Sequence, residues 1–500
     1  MGIVIRQSFK GTIITYVGAF VGFLTTFFVS VGFLTAEEIG LTRALMDAGI
    51  LISSFALMGI SVSAPKFFPY FKNQKENHNG FFFYLVAFAF LGITLAFAIA
   101  LLAREMIMSY FSEAAALFVD YFYLIFPLAF FLVYQTVFEA YSAVLMRIVI
   151  PRFVREILIR LMTITVFLLY AFDFIGLDLM IYLYVAEYGV AALINLFYVS
   201  RIGTVSLAHN TSYVRKPLQR YVFRFTGYMM VTTFGIELVN KVGTFMIASS
   251  MGLDFTGIYS IAFFMAAIVE IPSRSLSSIS VPLLASHIKE KNHVEAENLL
   301  KRVTLNQFLV GSLIFVLLWA NIDNIFDIMP KGDTDYAQGK WVVFFLGLAR
   351  LCDLLGNFSV ATLNVSKHYY VLFVILLITA MTITGNYLLI PVLGITGAPV
   401  SMLISLFVYY LIVLIFVNVK LKYNPLSKNL LKVLALTGGV LLIDYFFITL
   451  NNPILDGIAR TFVLGGLFVL TLYFWKISDD INNLIRNILK RVRALIVRDK

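Results

Sequence analysis

Four stretches of this 500-residue chain place an acid and a base three or four residues apart inside otherwise apolar sequence: Arg43/Asp47, Glu237/Lys241, Glu270/Arg274 and Arg350/Asp353. At that spacing two side chains share a helix face, so each pair can neutralise itself. Two kinds of chemistry suit such pairs. Arg43, Lys241, Arg274 and Arg350 are candidates for gripping an anion, the arginines by two parallel hydrogen bonds to phosphate oxygens. Asp47, Glu237, Glu270 and Asp353 are candidates for taking up a proton or sodium ion. The competing reading is structural: ion pairs that hold helices together. Glu139, Glu187 and Asp444 are further acids in or near apolar runs.

Other chemistries lack their residues. No GxxxxGK[ST] phosphate loop is present, so no ATPase is built in. The lone cysteine, Cys352, can form no internal disulfide, and none of the five histidines pairs with another ligand at metal-binding spacing. No Ser/His/Asp or paired-carboxylate arrangement sits on a large loop. The expectation is a protein that is not an enzyme, with no catalytic residues, no metal and no cofactor beyond a coupling H+ or Na+.

The elements that must position these charges follow from composition. Hydrophobic residues make up 60% of the chain and charged residues 13%, against about 25% charged in soluble domains. The surplus apolar surface has to face lipid. A hydrocarbon layer of about 30 Å takes about 20 apolar residues of helix. Runs of that length give about fourteen spans: 11–34, 42–65, 81–102, 115–137, 156–176, 178–200, 221–249, 255–285, 304–328, 341–362, 369–390, 396–419, 430–450 and 458–476. The first is read as a retained span, since it is longer than a signal-peptide core and has no clear cleavage site. The two longest must tilt, bend or extend beyond the bilayer. Pro65, Pro127, Pro272, Pro282 and Pro391 are expected to bend helices.

Basic residues set the orientation. Of the 38 Lys and Arg, Arg43, Arg104, Lys331, Lys340 and Arg460 fall at one face, and Lys241, Arg274 and Arg350 fall within spans. The remaining thirty lie at the other face, which is therefore cytoplasmic, together with both termini. The net charge of +10 thus addresses the anionic leaflet, and no nucleic-acid partner is expected. Residues 477–500 carry apolar residues at helical spacing (Ile477, Ile481, Leu484, Ile488, Val492, Leu495) among Arg486, Lys490, Arg491, Arg493 and Arg498. That is a basic amphipathic helix suited to lipid headgroups.

A shift of 217 residues lays Ser61-Val62-Ser63-Ala64-Pro65 on Ser278-Ile279-Ser280-Val281-Pro282, Gly40 on Gly257, Thr15 on Thr232 and Gly18 on Gly235. Spans 1 and 2 then repeat in spans 7 and 8, running the same way, as in transporters built from parallel six-helix repeats. The expected organisation is a six-helix lobe over 1–205, a cytoplasmic connector over 206–220, a second six-helix lobe over 221–425, two extra spans within 426–476, and the tail 477–500.

The opening stretch Ile5-Arg6-Gln7-Ser8-Phe9-Lys10-Gly11-Thr12-Ile13, with Glu37-Glu38-Ile39-Gly40-Leu41 and Lys66-Phe67-Phe68-Pro69-Tyr70-Phe71-Lys72, resembles bacterial oligosaccharide and O-antigen-type flippases. Their superfamily also holds multidrug and toxin exporters and lipid II flippases. The resemblance implies an all-α fold of two bundles around a central cavity, working by alternating access in the bacterial cytoplasmic membrane. It implies a polyprenyl-pyrophosphate-linked oligosaccharide as substrate, flipped to the outer leaflet for surface polysaccharide biosynthesis, with membrane lipids and polysaccharide-assembly proteins as partners. Family members commonly have a cationic cavity. Here each candidate cation is shadowed by an acid. The alternatives are a cation-coupled multidrug exporter on the same fold, and a membrane polysaccharide polymerase, which would need a large outer loop that the chain lacks.

Overall fold

The computed structural model describes residues 2–111, 114–203, 205, 216–330, 334–366, 368–483 and 486–487. Among them every regular element is helical. Sixteen principal helices follow in order. The first seven are α1 (Gly2–Leu24), α2 (Ala36–Ala56), α3 (Ile60–Phe71), α4 (Phe81–Leu102), α5 (Ile125–Val144), α6 (Ile159–Ala171) and α7 (Leu177–Ile202). Next come α8 (Lys216–Met251), α9 (Leu253–Ala267), α10 (Ile271–Lys289), α11 (His293–Ala320) and α12 (Lys340–Val365). The last four are α13 (Ile375–Leu393), α14 (Gly397–Phe416), α15 (Lys428–Tyr445) and α16 (Pro453–Phe474). Read as rods, with α2–α3 and α9–α10 each one broken rod, they match the fourteen expected spans in order.

Ten stretches among the described residues are long and apolar enough by themselves to cross a membrane, and one of these, Tyr369–Leu421, contains both α13 and α14. The rods outside that set carry charge: Arg155, Glu156 and Arg160 ahead of and in α6, Glu237 and Lys241 in α8, and Lys428, Lys432 and Asp444 in α15. Large apolar side chains such as Phe90, Leu193, Tyr387 and Phe462 point outward, as lipid-facing surface requires. This is a polytopic, all-α membrane protein.

The two breaks have different causes. Between α2 and α3 the chain turns at Met58 (φ 47°) and Gly59 (φ 74°), six residues ahead of Pro65. A left-handed pair redirects the chain where glycine costs least, and Pro65 and Pro69 sit inside α3. Between α9 and α10 a tight turn of 3-10 helix, Ile268–Glu270, hands over to α10 with Pro272 in its first turn, where a missing N–H is harmless. Span 9 also differs from expectation. Its helix, α11, starts at His293 because Asn292 caps the Glu295 N–H, and Ile322–Ile328 forms a separate short helix. Hydropathy marks the stretch in lipid, whereas capping marks where the helix begins.

Contacts divide the chain into two compact units: Met1–Ile261 with Met329–Gly339 and Leu372–Ser405, and Ala262–Ile328 with Lys340–Val371 and Leu406–Lys500. In the first, α2 packs on α4, α5 and α8, α7 packs on α5 and α6, and α8 packs on α13. Its core includes Phe82, Leu85, Val133, Val137 and Tyr141. In the second, α11 packs on α10, α12, α15 and α16 around Phe308, Phe315, Leu354, Val433 and Phe468. Residues that the 217-residue shift pairs have similar local contacts within the first unit. Thr15 and Thr232 each donate to the carbonyl four residues back, Gly11 at 3.0 Å and Tyr228 at 2.9 Å. Gly18 lies against Glu156 and Gly235 against Ile375, positions that differ by two residues after the 217-residue shift.

The start of the tail docks on the second unit. Asp480 accepts two hydrogen bonds from Arg302, at 2.6 and 3.1 Å, and one from Asn306 at 2.9 Å. Asn429 donates to the Ile477 carbonyl. Leu484, Ile488, Lys490, Arg491, Val492, Arg493, Leu495 and Arg498 of the expected amphipathic helix lie outside the described residues, as do 206–215 of the expected connector.

Candidate functional site

The first unit holds a three-residue ionic cluster. A capping box in which Thr35 and Glu38 exchange hydrogen bonds starts α2. Two turns on, Arg43 Nε donates to Asp47 Oδ2 at 2.9 Å, the pair expected from i,i+4 spacing. Lys241 comes from α8, its Nζ 2.8 Å from Asp47 Oδ1, and Thr244 Oγ1 donates to Oδ2 at 3.0 Å. Asp47 and Thr244 are fully buried and Lys241 nearly so. Lys241, expected to pair with Glu237 one turn away, thus reaches a different helix. Two cations meet one carboxylate here.

The second unit carries a second cluster. Arg350 Nη1 lies 3.3 Å from Glu270 Oε2, and its guanidinium sits 4.9 Å from the Phe263 ring centre, a cation–π distance. Asp353, expected beside Arg350, accepts a hydrogen bond from the Tyr410 hydroxyl. Gln307 Nε2 donates to the Leu354 carbonyl and to Asn357 Oδ1 at 2.9 Å, fixing α12 against α11. Arg274 belongs to α10, and its side chain lies outside the described residues. Sequence spacing found the charged members of these clusters but not Thr244, Phe263, Tyr410 or Gln307, and each of the four expected within-helix pairs has a member with an interhelical partner. Helix packing, which spacing does not encode, selects among nearby counter-charges.

Two sites were not singled out from sequence. Arg460, read as an outer-face charge, is buried in α16, donating to Asp456 Oδ2 and Asp444 Oδ1, each at 2.6 Å. Asp456 also accepts from Asn324 at 2.7 Å. The i,i+4 spacing of Asp456 and Arg460 was the available signal. Glu187, read as one acid among several, is buried, with Thr163 Oγ1 at 2.7 Å from its Oε1. Nothing in its neighbourhood in sequence marks it.

No protein-family model matches the chain, and no curated protein matches it. Solved structures do. A lipid II flippase, MurJ, in an inward closed conformation aligns with a TM-score of 0.68 at 12% identity, covering 92% of this chain and 99% of that one. An outward-facing multidrug-resistance MATE transporter of the MOP superfamily aligns at 0.60 and 13% identity, over 85% and 96% of the two chains. A Pyrococcus furiosus transporter of the same superfamily, described as having reversed binding-pocket polarity, aligns at 0.58 and 13% identity over the same shares. The chain has the fold of the MurJ and MATE transporters. At these identities the likeness concerns architecture.

Proposed function

We propose that this protein is a flippase that carries a lipid-linked, pyrophosphate-bearing oligosaccharide from the inner to the outer leaflet of a bacterial cytoplasmic membrane by alternating access, for surface polysaccharide assembly. The observation that carries the reading is the near-complete two-way coverage with a lipid II flippase, joined to the cations Arg43, Lys241 and Arg350 in the apolar helices. A sugar-phosphate head cannot enter hydrocarbon unaided, because each charge must keep a partner. Arg43, Lys241, Arg274 and Arg350 are the proposed phosphate-gripping residues, with the lipid tail left in the bilayer. Asp47, Glu237, Glu270 and Asp353 are the proposed counter-charges, released when phosphate arrives and able to take up H+ or Na+ in exchange. The proposed organisation keeps the two six-helix lobes, the connector, the two extra helices and a cytoplasmic tail.

Deleting the gene in its native bacterium tests the proposal. Lipid-linked glycan is expected to accumulate on the cytoplasmic leaflet and surface glycan to fall. Unchanged surface glycan, in a strain without a second such transporter, rejects it. The second reading, a cation-coupled exporter of amphipathic compounds, draws on the MATE likeness and on the acids beside Arg43, Lys241 and Arg350. Drug sensitivity of the deletion strain with normal surface glycan would favour that reading.

A further inference from the structure

Glu187 stands apart from the other buried and half-buried carboxylates. Asp47 has Lys241 and Arg43, Glu270 has Arg350, Asp456 has Arg460, and Asp353 has the Tyr410 hydroxyl. Glu187, on α7, is 3% exposed, its nearest polar partner is Thr163, and its Oε2 meets no hydrogen-bonding group among the described residues. An ionised carboxylate in that setting would carry an uncompensated buried charge, which is strongly unfavourable.

The hydrogens can be counted. Thr163 Oγ1 lies 3.0 Å from the Ile159 carbonyl and 2.7 Å from Glu187 Oε1. A hydroxyl has one hydrogen, so it can donate to only one of these two acceptors. If it donates to Ile159, as threonines in helices commonly do, the contact with Glu187 needs a hydrogen from the glutamate. We propose that Glu187 is a proton-exchanging carboxyl, protonated in the conformation seen here and losing its proton to water when the α5–α6–α7 packing opens. That this exchange drives a transport cycle rests on the transporter reading above.

The groups around Glu187 fit a proton better than a fixed counter-ion. Tyr184 and Tyr188, on its own helix, interact with it electrostatically. Two of the cations on the elements packed against α7 have anionic partners: Arg160 with Glu156 at 3.5 Å, and Arg155 with Glu139. Arg43 and Asp47, which act on Tyr184, are paired with each other. Arg152 packs over Gly11. The remaining titratable groups on these helices are phenols, Tyr134 and Tyr141 on α5, Tyr170 on α6 bonded to Glu38, and Tyr182 and Tyr198 on α7, with Asp178 bonded to Tyr121 and Arg201 at the far end of α7. Eight residues beyond Glu187, about 12 Å along the axis at 1.5 Å per residue, Asn195 is buried and, among the described residues, neither of its amide atoms has a hydrogen-bond partner, nor has the buried Ser142 hydroxyl on α5. Buried polar atoms left open by protein are where ordered water sits, and such water is a means of moving a proton.

Infrared difference spectroscopy on the purified full-length protein in lipid vesicles tests this without a substrate. The expected result is a neutral carboxylic C=O band at pH 7 that is lost in Glu187→Gln, shifted in Glu187→Asp, bleached as pH is raised, and indifferent to sodium chloride. Absence of any Glu187-dependent band means the group is ionised and overturns the proposal. A band that never bleaches makes Glu187 a fixed structural acid, and a band lost on adding sodium at constant pH makes the site a cation site; either result overturns it too. A protein that shows the expected band yet moves no lipid-linked glycan would reject the flippase reading alone.

Discussion

Gly40 and Gly257 lie against each other, and each sits on the backbone of the other's helix. A Cβ on Gly40 would overlap the Leu253 carbonyl, and a Cβ on Gly257 would overlap the Ala36 carbonyl. Both reciprocal contacts, 40 with 253 and 36 with 257, interchange under the same 217-residue shift that aligns the sequence with itself. Such self-complementary contact is what a two-fold relation between equivalent elements produces, here within one chain.

Glycine at both positions is therefore a packing requirement. Gly40→Ala and Gly257→Ala are each expected to destabilise the protein by about 1–3 kcal/mol, the usual cost of overpacking. Because the two side chains would enter one crossing, the double variant should cost less than the two singles added together. Thermal unfolding in detergent, read by intrinsic fluorescence, checks both statements. Strict additivity would mean that the two glycines act independently.

The Asp47 cluster has an asymmetric response built into it. Asp47→Asn leaves Lys241 and Arg43 facing each other without their common anion, and removing one partner of a buried pair costs about 3–5 kcal/mol. Removing Lys241 as well, as Asp47→Asn with Lys241→Met, should recover part of that loss, because no buried ammonium is left unpaired. Melting temperatures of the single and double variants are the measurement. A double variant no more stable than Asp47→Asn would show that Lys241 is not held by Asp47.

Much of this was legible in the sequence because the bilayer imposes a simple rule on it. Phe81–Leu102 was readable to the residue, since a run of apolar residues between polar breaks has one use in a membrane. The helix ends at His293 and Ala320 were not, because they are set by Asn292 and by Asn321, whose side chain turns back to Leu317, and not by hydropathy. The charged residues Arg43, Lys241 and Arg350 could be named from type and spacing. The partner of Arg43 could be named too, but not those of Lys241 and Arg350: Lys241 sits within reach of both its own helix and α2, and only packing brings Asp47 to it. Glu187 was invisible as a special case for the same reason: what sets it apart is that, among the described residues, its polar partner is the Thr163 hydroxyl and not a cation.

Arg350 separates charge from geometry. Its guanidinium both pairs with Glu270 and covers the Phe263 ring. Lysine keeps the charge but not the planar fork or the stack. Arg350→Lys is expected to fold normally and to lower transport of lipid-linked glycan by roughly tenfold, the equivalent of about 1.4 kcal/mol. Leaflet-resolved labelling of the glycan in vesicles, normalised to protein level, reads the effect. Equal transport by the lysine variant would mean that Arg350 acts as a point charge or does not touch substrate.

The tail contact should respond to acid in one direction. Arg302 hydrogen bonds hold the Asp480 carboxyl below its ordinary range, so the docked state binds its proton less readily than the undocked one. The docking energy is then fully present above the ordinary aspartate range near pH 4 and fades as pH falls through the lowered value. Both side chains are substantially exposed, 66% for Arg302 and 41% for Asp480, which limits the contribution to about 0.2–1 kcal/mol. Hydrogen exchange at residues 478–482 is expected to be slower, after correction for intrinsic rates, at pH 6 than at pH 3, and Asp480→Asn should remove that difference. Protection that is the same at both pH values in the unaltered protein would show that Asn306, Asn429 and apolar contacts hold the tail without the ion pair.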